Sequence, residues 1–190
     1  MSVRTDTLQQ YVGDMLALER HIHDAVRRQR DDEKVQKQSE AHTIISRVEA
    51  QLDEHIEHLE QHLESLGGSP TSVVKEAVTA VTGAVAGLYD QVRDEKVSKM
   101  LRDDYAALSL AAVSYTMLHT TGLALTDQET ADIALKHLKH WTPIVVDISE
   151  AIPLVVANEL GEEMAGTDSS AGREAVKNTQ VAWSREVAQQ

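Results

Sequence analysis

The side chains best suited to chemistry lie in residues 48–67. His55, His58 and His62 stand there among Glu49, Asp53, Glu54, Glu57, Glu60 and Glu64. His55 and His58 are three apart, His58 and His62 four apart, and downstream His137 and His140 are three apart. Either spacing sets two imidazoles on one helix face, where they can share a zinc, nickel or copper ion. Alternatively the histidines decorate a solvated, acidic helix face.

These positions need helices to hold them. Val48, Leu52, Ile56, Leu59, Leu63 and Leu66 recur at helical spacing. Gly67, Gly68, Ser69 and Pro70 then end the helix. Upstream, a first helix over residues 5–28 carries Leu8, Tyr11, Met15, Leu18, Ile22 and Val26 as its apolar stripe. Glu19 sits at the edge of that strip, as a boundary residue or as a ligand. Arg27, Arg28 and Arg30 read as a solvated helix end, since cations suit a helix C-terminus. Asp31, Asp32 and Glu33 then open a second helix that reaches Leu66, with a break near Ser39.

Residues 73–92 read as a connecting helix between two hairpins. Over residues 94–121, Leu101, Tyr105, Leu108, Ala112, Tyr115 and His119 share one face and the remainder is mostly small. That composition suggests burial on several sides and would fit the centre of a dimer. His119 reads as a hydrogen-bonded core residue rather than a ligand. Gly122 is expected to end this helix, and Thr126 with Glu129 has the spacing of a capping box for the next. The last long helix carries Ile133, His137, His140 or Trp141, Ile144, Ile148, Ile152 and Val155, and Pro143 and Pro153 must kink or interrupt it. A separate helix starting at Thr142 and Pro143 is the other arrangement. The chain thus divides into a helical bundle (residues 1–160), a linker (161–172) and an amphipathic tail helix (173–190). Trp183 anchors the tail on its own bundle, a second subunit or a protein partner.

Composition agrees with an all-α chain. Of 190 residues, 42% are hydrophobic but 3% aromatic, with no Phe, 9 Gly and 3 Pro. Alanine, valine and leucine must fill a single core. A net charge of −13 repels phosphate backbones and anionic lipid, so neither nucleic acid nor membrane surface is an expected partner. Residues 105–126 hold no acid, Lys or Arg, a length of 22 that could cross a bilayer. Their Ala, Ser, Thr and His119 favour a buried soluble helix instead. The absence of cysteine excludes disulfides and thiolate chemistry. The first residues lack the apolar core of a secretory signal, which makes the cytoplasm the expected location. No Ser/His/Asp order, glycine-rich phosphate loop or nucleotide fingerprint is visible.

Two helical hairpins with a longer crossover describe a ferritin-like four-helix bundle. The sequence resembles in particular the ferritin-like stress proteins of the YciE/YciF type. Tyr11, Val12, Gly13, Asp14, Met15 and Glu19 carry the likeness in the first helix, and Leu59, Glu60, Gln61, His62, Leu63, Glu64, Ser65, Leu66 and Gly67 in the second. It continues through Asp104 and Tyr105, through Ala112, Val113, Ser114 and Tyr115, and from Leu135 to Leu138. It spans roughly residues 5–160, as a pattern of helices more than as identities. The resemblance implies two iron or manganese ions between four core helices, each helix giving an acid, with histidine or further acids one turn away. Glu19 occupies the matching place in the first helix, and Asp53, Glu54 and His58 lie near it in the second.

The second hairpin departs from that pattern. No carboxylate lies between Asp104 and Asp127, and Leu108 or Ala111 stands where the family carries one. Residues 139–145 lack an acid too, and Glu-x-x-His occurs nowhere. The candidate metal set is Glu19, Asp53, Glu54, His55, His58, His137 and His140. The expected function is a homodimeric, stress-related bundle whose dinuclear site is partial or lost. The alternatives are an active iron or manganese oxidase or catalase-like enzyme, and a non-enzymatic interaction module.

Overall fold

The computed structural model describes residues 2–72, 89 and 96–183, and every regular element among them is an α-helix. In chain order these are α1 (Val3–Arg30), α2 (Glu33–Lys37), α3 (Ser39–Ser65), α4 (Val97–Ala124), α5 (Gln128–Glu163) and α6 (Ala171–Trp183). The Ser2 side chain caps α1 by accepting from the Thr5 N–H. Arg27, Arg28 and Arg30 occupy the last turn of α1, and Arg30 pairs with Asp31 and Glu49. The basic cluster is thus a helix end. Asp32 caps α2, and the extended backbone of Gln38 separates α2 from α3, so the break near Ser39 is present.

Cross-helix contacts fix the directions of the four long helices. Gln9 donates to the Leu66 carbonyl and Arg30 reaches Glu49, so α1 and α3 run antiparallel. Ser98 meets Glu159, and His119 meets the Ala131 carbonyl, so α4 and α5 do the same. Glu19 with Tyr115, and Gln29 with Asp104, set α1 antiparallel to α4. His55 with His140, and His62 with Thr130, set α3 antiparallel to α5. Consequently α3 and α4 point the same way. Leu66 lies at the end of the array where α1 begins, and Lys96 lies at the other. The connecting helix expected at residues 73–92 lies outside the described residues, Tyr89 apart.

Leu16, Leu18 and Ile22 of α1 meet Ile45, Leu52, Leu59 and Leu63 of α3, Leu101, Leu108 and Leu118 of α4, and Trp141 and Ile148 of α5 in one apolar core. Each fully buried side chain of this size contributes about 1.5–3 kcal/mol. Within the single chain, α1 rather than α4 is covered on several sides. No residue of α1 from Tyr11 to His23 is exposed, whereas α4 keeps a solvent-facing side. No helix among the described residues is long and apolar enough to cross a membrane.

Three expected boundaries move. Gly122 lies inside α4, not at its end, and is buried. A Cβ there would stand 2.6 Å from the Ala131 backbone nitrogen, so this glycine lets α4 and α5 close on each other at their hairpin. The turn follows at Thr126, whose φ is +51°. Thr126 N–H bonds to Leu123 and Asp127 N–H to Gly122, the pairing that ordinarily uses glycine at the left-handed position. Asp127, rather than Thr126, then caps α5 by accepting from the Thr130 N–H. Finally, α5 runs unbroken through Pro143 and Pro153 to Glu163, and no separate helix starts at Thr142. Pro143 and Lys139, whose carbonyl loses its partner to the proline, are both exposed, so the missing bond falls on the solvent side of α5. The polar linker therefore begins after Glu163. The described part of the tail, α6, packs on α5 of its own chain: a Cβ on Gly172 would touch Ala157 and the Leu154 backbone. The Trp183 side chain and residues 184–190 lie outside the described set.

Replacing Gly122 by alanine forces a methyl against the Ala131 backbone. Urea unfolding of G122A should show a loss of about 1–3 kcal/mol, with helix content retained by circular dichroism.

Candidate metal centre

Glu19 lies at the midpoint of α1, fully buried. Its position between Leu16, Leu18 and Ile22 turns the carboxylate into the core rather than to the rim. Each of the other long helices sends a donor to it. Tyr115 of α4 donates its hydroxyl to Oε1 at 2.7 Å, Trp141 of α5 its indole N–H at 2.9 Å, and His55 Nδ1 of α3 lies at 3.1 Å. The second oxygen, Oε2, is buried without a partner.

The remaining hydrogen bonds assign the protons. Tyr115 has one proton and gives it to Glu19, so its oxygen accepts from His137 Nδ1–H at 2.9 Å. A neutral His137 then accepts at Nε2 from His58 Nδ1–H, 3.2 Å away. By the same rule His55 donates through Nδ1 to Glu19 and accepts at Nε2 from His140 Nδ1–H at 3.0 Å. The rings of His55 and His137 stack face to face, with centroids 3.7 Å apart and planes 3° from parallel. Burial first, and then the neighbouring His55, push the His137 imidazole down to about 2. Burial and His55 also lower His140. Burial, followed by the Glu19 carboxylate, raises Tyr115 well above the ordinary phenol range.

Among the described residues, Glu19, His55 and His137 form the group able to hold a metal ion: one donor atom from each lies within 4.8 Å of the others, and all three residues are buried. The partnerless Oε2 of Glu19 supplies an oxygen facing inward for such an ion. One carboxylate with two imidazoles is a donor set suited to a single divalent transition metal. The stacking adds a condition. Imidazole binds a metal in its ring plane, and two parallel planes direct their lone pairs side by side. One ring must turn about its Cβ–Cγ bond before both reach the same ion.

The structure brings together Glu19, His55, His58, His137 and His140 of the expected set. Asp53 and Glu54 stand outside the Glu19 cluster, though Glu54 Oε1 comes within 4.0 Å of His58 Nδ1. Asp53 precedes His55 by two residues, about 200° around α3, and is exposed, pairing with His23 at 2.9 Å. Glu54 lies on the rim, where Lys136 holds it at 2.9 Å and thereby keeps its carboxyl below the usual range. A solvated histidine face does not describe α3, since His55 and His62 are buried. His62 bonds to Thr130 at 2.7 Å and ties α3 to the start of α5. His119 is, as expected, held by a backbone carbonyl, that of Ala131.

The spacing of ligand types could not reveal Tyr115 and Trp141, which complete the site without binding metal in it. Composition carried a signal nonetheless. In a chain without Phe, the aromatic side chains that fill the core each bring a polar handle needing a buried partner. No protein-family model, curated protein or solved structure matches this chain.

The buried imidazole makes stability depend on acid. An unfolded His137 takes up a proton near pH 6.5 that the folded one refuses until about pH 2. The folded state is therefore favoured above pH 6.5 and loses stability as pH falls, by up to about 1.4 kcal/mol per pH unit from this group. Urea midpoints of the metal-free protein between pH 7 and 5 should fall, and H137Q should fall less steeply.

Proposed function

We propose that this chain is a metal-binding protein of the ferritin-like, four-helix-bundle class. The directions of its long helices support this: α3 and α4 point the same way, which places one long connection between two antiparallel hairpins. More particularly, we assign it to the ferritin-like stress proteins of the YciE/YciF type, on the residues that carry that resemblance around Glu19 and from Leu59 to Gly67. It acts as a cytoplasmic homodimer and holds one ion where the family holds two.

The observation that carries this reading is the environment of Glu19. Where a paired-ion site needs carboxylates from α4 and α5, those helices offer Tyr115, Trp141 and His137. Tyr115 and Trp141 donate to Glu19 and offer no carboxylate to bridge a second ion. Glu19, His55 and His137 then hold a single iron or manganese ion, with zinc or nickel as the competing occupants of a site rich in imidazole. To bind metal, His55 and His137 would shift their proton to Nε2 and donate it to His140 and His58, which then hold the ring orientations from outside, as partners of metal-bound histidines do.

Elemental analysis of protein purified from its native host should find at most one transition-metal ion per chain. H55A and H137A should each lower metal affinity by tenfold or more, by analogy with the loss of ligand or orienting groups elsewhere. Two iron or manganese ions per chain, with peroxide-dependent oxidation of Fe(II), would refute the single-ion reading and favour the oxidase or catalase-like alternative.

A further inference from the structure

The surface of α4 carries information that the metal centre does not use. Ala106, Leu110, Val113, Met117, Thr120 and Ala124 follow one another at spacings of 4, 3, 4, 3 and 4 residues. This is the seam spacing of helices that pack lengthwise on a partner. The row lies on the side of α4 opposite its buried residues Leu108, Ala111, Tyr115 and Leu118. In the single chain it faces solvent: Val113 is 60% exposed and Met117 54%. Ala106, Thr120 and Ala124 are exposed and Leu110 half-buried. At about 1.5 Å per residue the row is roughly 27 Å long.

Two further observations select its occupant. First, α4 bears no charged residue from Tyr105 to Thr126, although the chain as a whole carries −13. The solvent side of α5, by contrast, shows Asp132, Lys136 and Lys139. At a net charge of −13 two copies repel each other overall, whereas along this part of α4 no like charges oppose. Second, the spacing reads identically in both directions. An antiparallel, two-fold pairing of α4 with α4 sets Val113 against Met117 of the second copy, Leu110 against Thr120, and Ala106 against Ala124. The small end residues allow close approach, and the larger central ones interdigitate. Such a self-complementary patch is what an isologous dimer requires.

We infer that the solvent face of α4 is the surface through which two copies of this chain associate, antiparallel and about a two-fold axis between Val113 and Met117. This rests on the homodimer reading above and adds the face and the register to it.

Light scattering across a dilution series should find a dimer for the native sequence, undiminished by added salt because no charge pairs hold it together and repulsion between copies is screened. V113E/M117E should halve the mass while circular dichroism and metal content stay unchanged, since both side chains are solvent-exposed. The chain has no cysteine, so V113C and M117C report register cleanly. An equimolar mixture should crosslink with a short bis-maleimide several-fold more than either variant alone. A native protein that is monomeric at every concentration overturns both the dimer and this face. A dimer that survives V113E/M117E, or crosslinking that is no greater in the mixture, overturns the face and leaves the dimer standing.

Discussion

A single buried carboxylate oxygen sets the terms for the rest of this molecule. Glu19 Oε1 accepts from Tyr115 and Trp141 and lies beside His55 Nδ1, one group from each of the other long helices. A carboxylate in an apolar core is costly unless such donors reach it. Leaving any one of the three buried and unmatched would cost about 1–3 kcal/mol. That penalty fixes the heights of α3, α4 and α5 relative to α1, because sliding any helix by a residue carries its donor away. Apolar packing among leucines drives the association but tolerates small shifts. The polar contact selects one register.

The chemistry open to the centre follows from how that carboxylate is satisfied. The hydroxyl and indole that donate to Glu19 occupy places where a cage for two ions would require more oxygen acceptors. Imidazoles remain, His55 and His137 stacked face to face, with burial and the neighbouring rings lowering the basicity of His137 and His140. A neutral imidazole is the form that binds metal, so the same burial that would destabilise a charged histidine prepares it as a ligand. His58 and His140 extend the network toward solvent and hold the inner rings by their second nitrogens.

The periphery divides along the same lines. On α3 the acids and bases excluded from the core pair locally, Asp53 with His23 and Glu54 with Lys136, and Arg47 bridges to Asp147 across the gap to α5. On α4 beyond Tyr105 there is no charge to pair, and its outer side there is apolar or hydroxylic, while the tail helix covers α5.

The sequence by itself determined the helices. Periodic leucines, the acids from Asp31 to Glu33 that open a helix, and the stop at Gly67 were legible, because they depend on neighbours within a turn or two. So was the departure of the second hairpin from a carboxylate cage, since an absent residue type needs no coordinates. Helix ends were less legible. Gly122 reads as a stop only until Ala131 is seen against it, and Pro143 reads as a break only until its surroundings prove solvent-exposed. Tertiary structure alone decided which histidines turn inward. His55 and Asp53 are two residues apart in one acidic stretch, yet helical rotation sends one to Glu19 and the other to the surface. It alone decided that Tyr115 and Trp141 would meet Glu19, from 96 and 122 residues away. Local pattern fixes a helix face, but which faces converge depends on how four helices cross, and that is settled by contacts no short window of sequence contains.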